Sequence, residues 1–125
     1  MEPEELKGYQ TFKELGCITC HNGVNIGGNS FQRMGIIIPY RYDPRYPDLY
    51  SSNKDERYKN VFKVPTLRNI AMTAPYFHDA SAKSLVEAIK TMSFHNLGFK
   101  INDDQVRQLV AFLNTLTGDR PKILE

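Results

Sequence analysis

The chain has only two cysteines, two residues lie between them, and a histidine stands directly behind: Cys17-Ile18-Thr19-Cys20-His21. Three chemistries use such a cluster. A thioredoxin-type redox pair needs a βαβ setting, and no alternating strand pattern surrounds this segment. A zinc site needs four ligands, and only His78 and His95 remain as further Cys or His candidates. The third is covalent attachment of haem c, for which C-x-x-C-H is the signature. Each thiol adds across one vinyl group of the macrocycle. The two-residue spacing lets one turn of backbone present both sulfurs, and the next residue brings its imidazole beneath the iron as proximal ligand. Cys17, Cys20 and His21 are therefore the predicted haem-binding residues, with His21 on the metal. The macrocycle would supply apolar surface for a small core, so the apoprotein is expected to be loosely folded.

The rest of the composition sets bounds. At 125 residues the chain has room for one core, and a single domain over 1–125 is expected. Apolar residues at 41% and charged residues at 24% fit a globular chain, and 8 glycines with 7 prolines are too few for a low-complexity one. The longest unbroken apolar run, Leu109 to Leu113, falls far short of a membrane span. A net charge of +2 does not mark a nucleic-acid binder.

Helix signals dominate the remainder. Pro3 to Leu15 reads as a helix, with Glu4 and Glu5 at its positive end, Leu6, Tyr9 and Phe12 recurring every three residues, and Gly16 as a stop. Residues 21–60 are rich in Gly, Asn, Pro, Ser and Tyr and read as a long functional loop that wraps a haem edge. Pro65 opens a short predicted helix, Thr66 to Met72. The capping box Ser84-Leu85-Val86-Glu87 starts another, from about Leu85 to Ser93. Asn102-Asp103-Asp104-Gln105 is a weaker box. The helix after it lines up Val106, Leu109, Val110, Leu113 and Leu116, with Gly118 as the stop. No hairpin signal appears, so the predicted class is all-α.

His21 fills one axial position, and the other separates electron transfer from catalysis. The candidates are Met34, Met72, Met92, His78 and His95. Met34 follows His21 too closely without a tight reversal across the haem edge, and Met72 is explained by packing. Spacing favours Met92, on the inward stripe with Leu85 and Ile89 near a helix end. A helix end can lean a side chain over the porphyrin while the following loop relaxes. His78 reads first as a hydrogen-bonded residue near the haem rim.

From Val61 onward the chain resembles a known family. Phe62-Lys63-Val64-Pro65-Thr66-Leu67-Arg68-Asn69 is followed by Thr73-Ala74-Pro75-Tyr76-Phe77-His78-Asp79, then Met92, Leu97-Gly98, and Ala111-Phe112-Leu113-Asn114-Thr115-Leu116-Thr117-Gly118. These motifs, in this order, are similar to the C-terminal, high-potential haem domain of bacterial di-haem cytochrome c peroxidases. The resemblance implies an all-α, cytochrome c-like helical domain with long loops around one covalently bound haem. It places the family's axial methionine on Met92, opposite His21. It matches the backbone carbonyls of Thr73 and Pro75 to contributors of an inter-domain calcium site. In that family the domain takes electrons from a small donor protein and passes them to a second haem, where peroxide is reduced. Here one C-x-x-C-H replaces the family's two, so the peroxidatic haem domain and the remaining calcium ligand are absent from this sequence. The resemblance further implies a periplasmic protein, and the opening Met1-Glu2-Pro3, without a signal-peptide pattern, fits a mature or an engineered chain.

Cations and tyrosines interleave between residues 40 and 63: Arg41, Arg45, Lys54, Arg57, Lys59 and Lys63 among Tyr40, Tyr42, Tyr46, Tyr50 and Tyr58. Asp43, Asp48, Asp55 and Glu56 dilute that charge, which argues for a solvated face with some cations near haem propionates rather than a nucleic-acid surface. Arg68 is the predicted propionate partner, since a guanidinium fork suits a carboxylate. The expectation is an electron-transfer haem protein with small redox proteins as donor and acceptor. Peroxide chemistry, as an enzyme or a fragment of one, is the alternative if the sixth ligand is displaced.

Overall fold

A computed structural model describes residues 2–118. Its longest elements are helices: α1 (Pro3–Glu14), the short α2 (Leu49–Asn53), α3 (Leu85–Leu97) and α4 (Asp103–Asn114). Three 3-10 turns, Cys17–Thr19, Glu56–Tyr58 and Ile70–Met72, lie between them. Two three-residue strands, β1 (Phe31–Arg33) and β2 (Val61–Lys63), pair antiparallel with Gln32 opposite Phe62. The long segment expected to be wholly irregular thus carries a strand, the short helix α2 and a 3-10 turn. Three-residue strands leave no alternation long enough to read from sequence.

The frame is the crossing of α1 on α4. A Cβ at Gly8 would lie 1.9 Å from the Gln108 carbonyl oxygen and 2.8 Å from Phe112 Cβ, so the two backbones meet at a distance only glycine permits. Tyr9 and Phe12 each set a ring 5.2 Å from that of Phe112. Thr11 Oγ1 donates to Gln108 Oε1 at 3.1 Å, and Arg107 pairs with Glu4. Around this crossing Phe12, Ile89, Ile101, Val106, Leu109, Phe112 and Leu113 form the core. Val106, Leu109 and Leu113 are members of the predicted α4 stripe.

Helix ends follow their local chemistry, with some departures from expectation. At Asn102 the weaker box is complete: its Oδ1 accepts from Gln105 N–H at 2.8 Å and Gln105 Oε1 accepts from Asn102 N–H at 3.2 Å. At Ser84 only half forms, because Glu87 Oε2 accepts from Lys83 N–H instead of Ser84 N–H. α3 runs four residues past the predicted Ser93 and stops where Gly98 turns left-handed (φ +72°). The predicted helix Thr66–Met72 is reduced to the turn Ile70–Met72, since Asn69 sits in the left-handed region (φ +61°) and breaks the run. α4 ends at Asn114, before Gly118, whose N–H donates to Asn69 Oδ1 at 2.7 Å. No described helix is long and apolar enough to cross a membrane.

Candidate haem-binding site

Gly16, with φ +96°, takes the chain out of α1 and straight into the turn Cys17–Thr19. The Cys17 carbonyl accepts from both Cys20 N–H (3.3 Å) and His21 N–H (3.0 Å), so one acceptor gathers the whole motif into a single turn. Both thiols are free and partly buried. Burial pushes the Cys17 thiol up to about 11, with a smaller rise from neighbouring Cys20, against a backbone hydrogen bond that lowers it. Burial also raises Cys20.

The residue after the motif locks the turn. Asn22 Nδ2 donates to the Ile18 and Thr19 carbonyls, each at 3.0 Å, and Asn29 Nδ2 donates to the Asn22 carbonyl at 2.7 Å. Gly27 N–H donates to the same carbonyl at 2.9 Å. The loop then docks on the segment around Pro65: Gly28 N–H donates to the Val64 carbonyl and Leu67 N–H to the Ile26 carbonyl. A Cβ at Gly27 would fall 2.0 Å from the Pro65 carbonyl oxygen, so a side chain there would push the two segments apart.

This packing surrounds the His21 ring. Burial holds its pKa below the ordinary imidazole value, and the backbone carbonyls of Ile26 and Pro65 pull it partly back. Nδ1 is fully buried, yet neither carbonyl reaches hydrogen-bond geometry with it, which leaves one orphaned polar atom facing backbone acceptors. An imidazole whose Nδ1 faces carbonyls presents Nε2 to a metal. Two free thiols one turn apart beside such a ring fit a covalently attached haem. Sequence reasoning found the motif but missed Asn22, Asn29 and Pro65, whose roles arise from contacts made across the loop.

The other predicted residues are dispersed around this turn. Met92 is half-buried on α3, on the side that carries buried Ala88, Ile89 and Ser93. Met72 is 73% exposed, and Met34 is buried in the loop. Arg68 is exposed, and its Nε and Nη2 both donate to the Val24 carbonyl (3.1 and 3.0 Å), so one edge of the fork is engaged with backbone. His95 Nδ1 lies 2.9 Å from the Ile38 carbonyl. His78 stacks on Phe62 with ring centroids 4.1 Å apart, between the edges of Tyr40 and Tyr46. Burial lowers its pKa, and Asp79, Asp48 and Asp43 draw it back up. Thr73 and Pro75 are exposed, and no group of three or more His, Cys, Asp or Glu able to hold a metal gathers among the described residues.

The cations between 41 and 59 are mostly spent locally. Arg45 pairs with Asp43, Arg57 with Asp55 and Lys59 with Glu56, and Lys59 also lies over the Tyr42 and Tyr50 rings. Arg41 reaches Asp79 at 3.7 Å. Such exposed pairs add little stability, and this face is a solvated one.

The Cytochrome c family model matches residues 6–117. The chain belongs to the cytochrome c family. Membership implies covalently bound haem c, as the Cys17–His21 turn had suggested. The cytochrome c domain is 47% identical over 121 residues to the cytochrome c551 peroxidase of Nitrosomonas europaea, covering 97% of this chain and 36% of that protein. It is 40% identical over 118 residues to the cytochrome c peroxidase Ccp of Escherichia coli, covering 92% of this chain and 25% of that one. A solved MauG-like protein associated with microbial copper homeostasis shares the fold, with a TM-score of 0.79 at 25% identity over 95% of this chain and 48% of its own. The domain therefore spans about a third or less of these two peroxidase relatives. The likeness to a haem domain of di-haem peroxidases holds over nearly its whole length.

Proposed function

We propose that this chain is a monohaem, single-domain electron-transfer protein of the periplasm, with iron held between His21 and Met92. The observation that carries the proposal is the half-buried His21 ring, with its Nδ1 fully buried, at the end of a turn that presents two free thiols. The haem, when bound, supplies a one-electron ferric–ferrous couple.

The chain's own residues do the rest. Cys17 and Cys20 tether the macrocycle, and Asn22 keeps their turn closed. The backbone of Ile26 and Pro65 packs beside the His21 ring and would help orient it toward the iron. Met92 would hold the iron through its thioether, a ligand type that favours ferrous iron. Arg68 offers its remaining edge to a propionate. Donor and acceptor are small redox proteins, met through a modest, transient interface.

The identity to peroxidases favours a second reading, in which this domain accepts electrons for a peroxide-reducing partner domain. In that setting the carbonyls of Thr73 and Pro75 would help hold calcium at the domain junction.

The ferric optical spectrum tests the axial pair. A weak far-red band from methionine on iron, absent in Met92→Ala, is the expected result. A high-spin spectrum with ready peroxide binding would overturn the carrier reading, and a colourless protein by pyridine haemochrome assay would overturn both.

A further inference from the structure

Residues 34–40 form a closed loop whose two ends are joined by one buried residue, Asn60. Met34 N–H donates to the Asn60 carbonyl at 2.7 Å, and Asn60 Nδ2 donates to the Tyr40 carbonyl at 2.8 Å. Asn60, 7% exposed and left-handed at φ +61°, is itself fixed by donating its N–H to the buried Asp48 carboxylate at 2.7 Å. At the neck of the loop a Cβ on Gly35 would come within 2.3 Å of Tyr40 N, so only glycine closes it.

From this base the loop reaches over the C-terminal end of α3. Gly35 N–H donates to Asn96 Oδ1 at 2.7 Å, and Asn96 Nδ2 returns a bond to the Arg33 carbonyl at 3.2 Å. Ile37 and Ile38 N–H both donate to the His95 carbonyl at 3.0 Å. Ile37 also packs on Gly98, where a Cβ would meet its Cγ2 at 2.9 Å. A helix cannot satisfy its own last carbonyls. Here Gly98 and Phe99 N–H both turn back to Ser93, and the loop supplies the partners for His95. The final turn of α3 is thus held largely from outside the helix.

Met92 lies one turn earlier, three and four residues before His95 and Asn96, on the same side of α3. The geometry points to residues 33–40 as a strap that positions the methionine-bearing turn over the iron, with Asn96 as its positioning residue. This rests on the reading of Met92 as axial ligand. A rigid helix end keeps a weak thioether bond closed. A loosened one lets the sulfur leave and opens the sixth position to exogenous ligands.

Imidazole binding to the ferric holoprotein reads that opening, since it requires the methionine to depart. In Asn96→Ala, imidazole should bind roughly tenfold more tightly, consistent with the loss of two hydrogen bonds, and the far-red band should disappear at a lower alkaline pH. Asn96→Asp, which keeps an acceptor for Gly35 and loses the donor to Arg33, should fall between. Phe112→Leu, in the core of the α1–α4 frame, should lower the melting temperature with wild-type imidazole binding. With the band present in wild type, unchanged imidazole binding in both Asn96 variants, or an equal gain in Phe112→Leu, overturns the strap. A wild-type protein without the band overturns the Met92 reading and the strap together.

Discussion

The α1–α4 crossing and the 21–40 loop region are built by opposite means. The crossing is apolar contact between two helices distant in sequence, with Gly8 pressed to Gln108 and Phe112 between Tyr9 and Phe12. The loop region is held by polar side chains and backbone, with Asn22, Asn29, Asn60 and Asn96 among its cross-links. Packing tolerates small changes of shape but responds steeply to volume. Hydrogen-bonded loops respond to the loss of one polar atom and hold particular groups in particular places. The first region therefore sets stability, and the second sets the surroundings of the Cys17–His21 turn and of the end of α3.

That division can be broken at several points. The largest effect should come from Cys17→Ala with Cys20→Ala, which removes both tethers; intact mass should fall by the haem and the protein should lose its compact state. A folded, melting-competent apoprotein would show that the helical frame stands alone. Next, Met92→His should keep a six-coordinate spectrum while lowering the reduction potential by on the order of 0.1 V, within the roughly 0.8 V that axial ligands span. Gly8→Ala should cost about 1–3 kcal/mol in chemical denaturation, because overpacking at the crossing outweighs any helix-propensity gain. Its reduction potential should stay at the wild-type value, and a shifted potential would break the division.

Asp48 sharpens it in the pH dimension. Burial pushes its carboxyl up, but hydrogen bonds from Asn60 N–H, Ser51 N–H and the Ser51 hydroxyl outweigh this and hold its pKa below the ordinary value. Stability from this group is fully present above the unfolded carboxyl pKa of about 3.9 and is lost as pH falls through the lower folded value. Asp48→Asn should flatten the acid limb of a melting-temperature profile; an unchanged limb would remove Asp48 from the acid response. The smallest effect is expected from Arg68→Leu, a modest change in potential or haem retention. No change in either would leave Arg68 as a brace for Val24 alone.

Much of this molecule was legible because local chemistry repeats locally. The Cys17–His21 motif, most of the α4 stripe and the Asn102 box need only neighbours in sequence: the motif closes into one turn, Val106, Leu109 and Leu113 are buried, and the box is complete. Ser84 shows the limit: its residue type was right, yet Glu87 chose Lys83, a choice made by side-chain placement rather than by spacing. Asn69 shows another, since one left-handed residue reduced a predicted helix to a 3-10 turn. The polar cross-links could not be read at all. An asparagine in a loop carries no mark of its partner, and Asn96 and Arg33 are 63 residues apart.

The sequence by itself pointed to a helical haem c domain, with Cys17, Cys20 and His21 as the candidate attachment residues, because thioether attachment demands that residue order at that spacing. Tertiary structure alone decided which backbone carbonyls face His21, how closely α1 approaches α4, and what holds the end of α3. Those are distances between segments brought together by folding, and no local pattern encodes a distance across the chain.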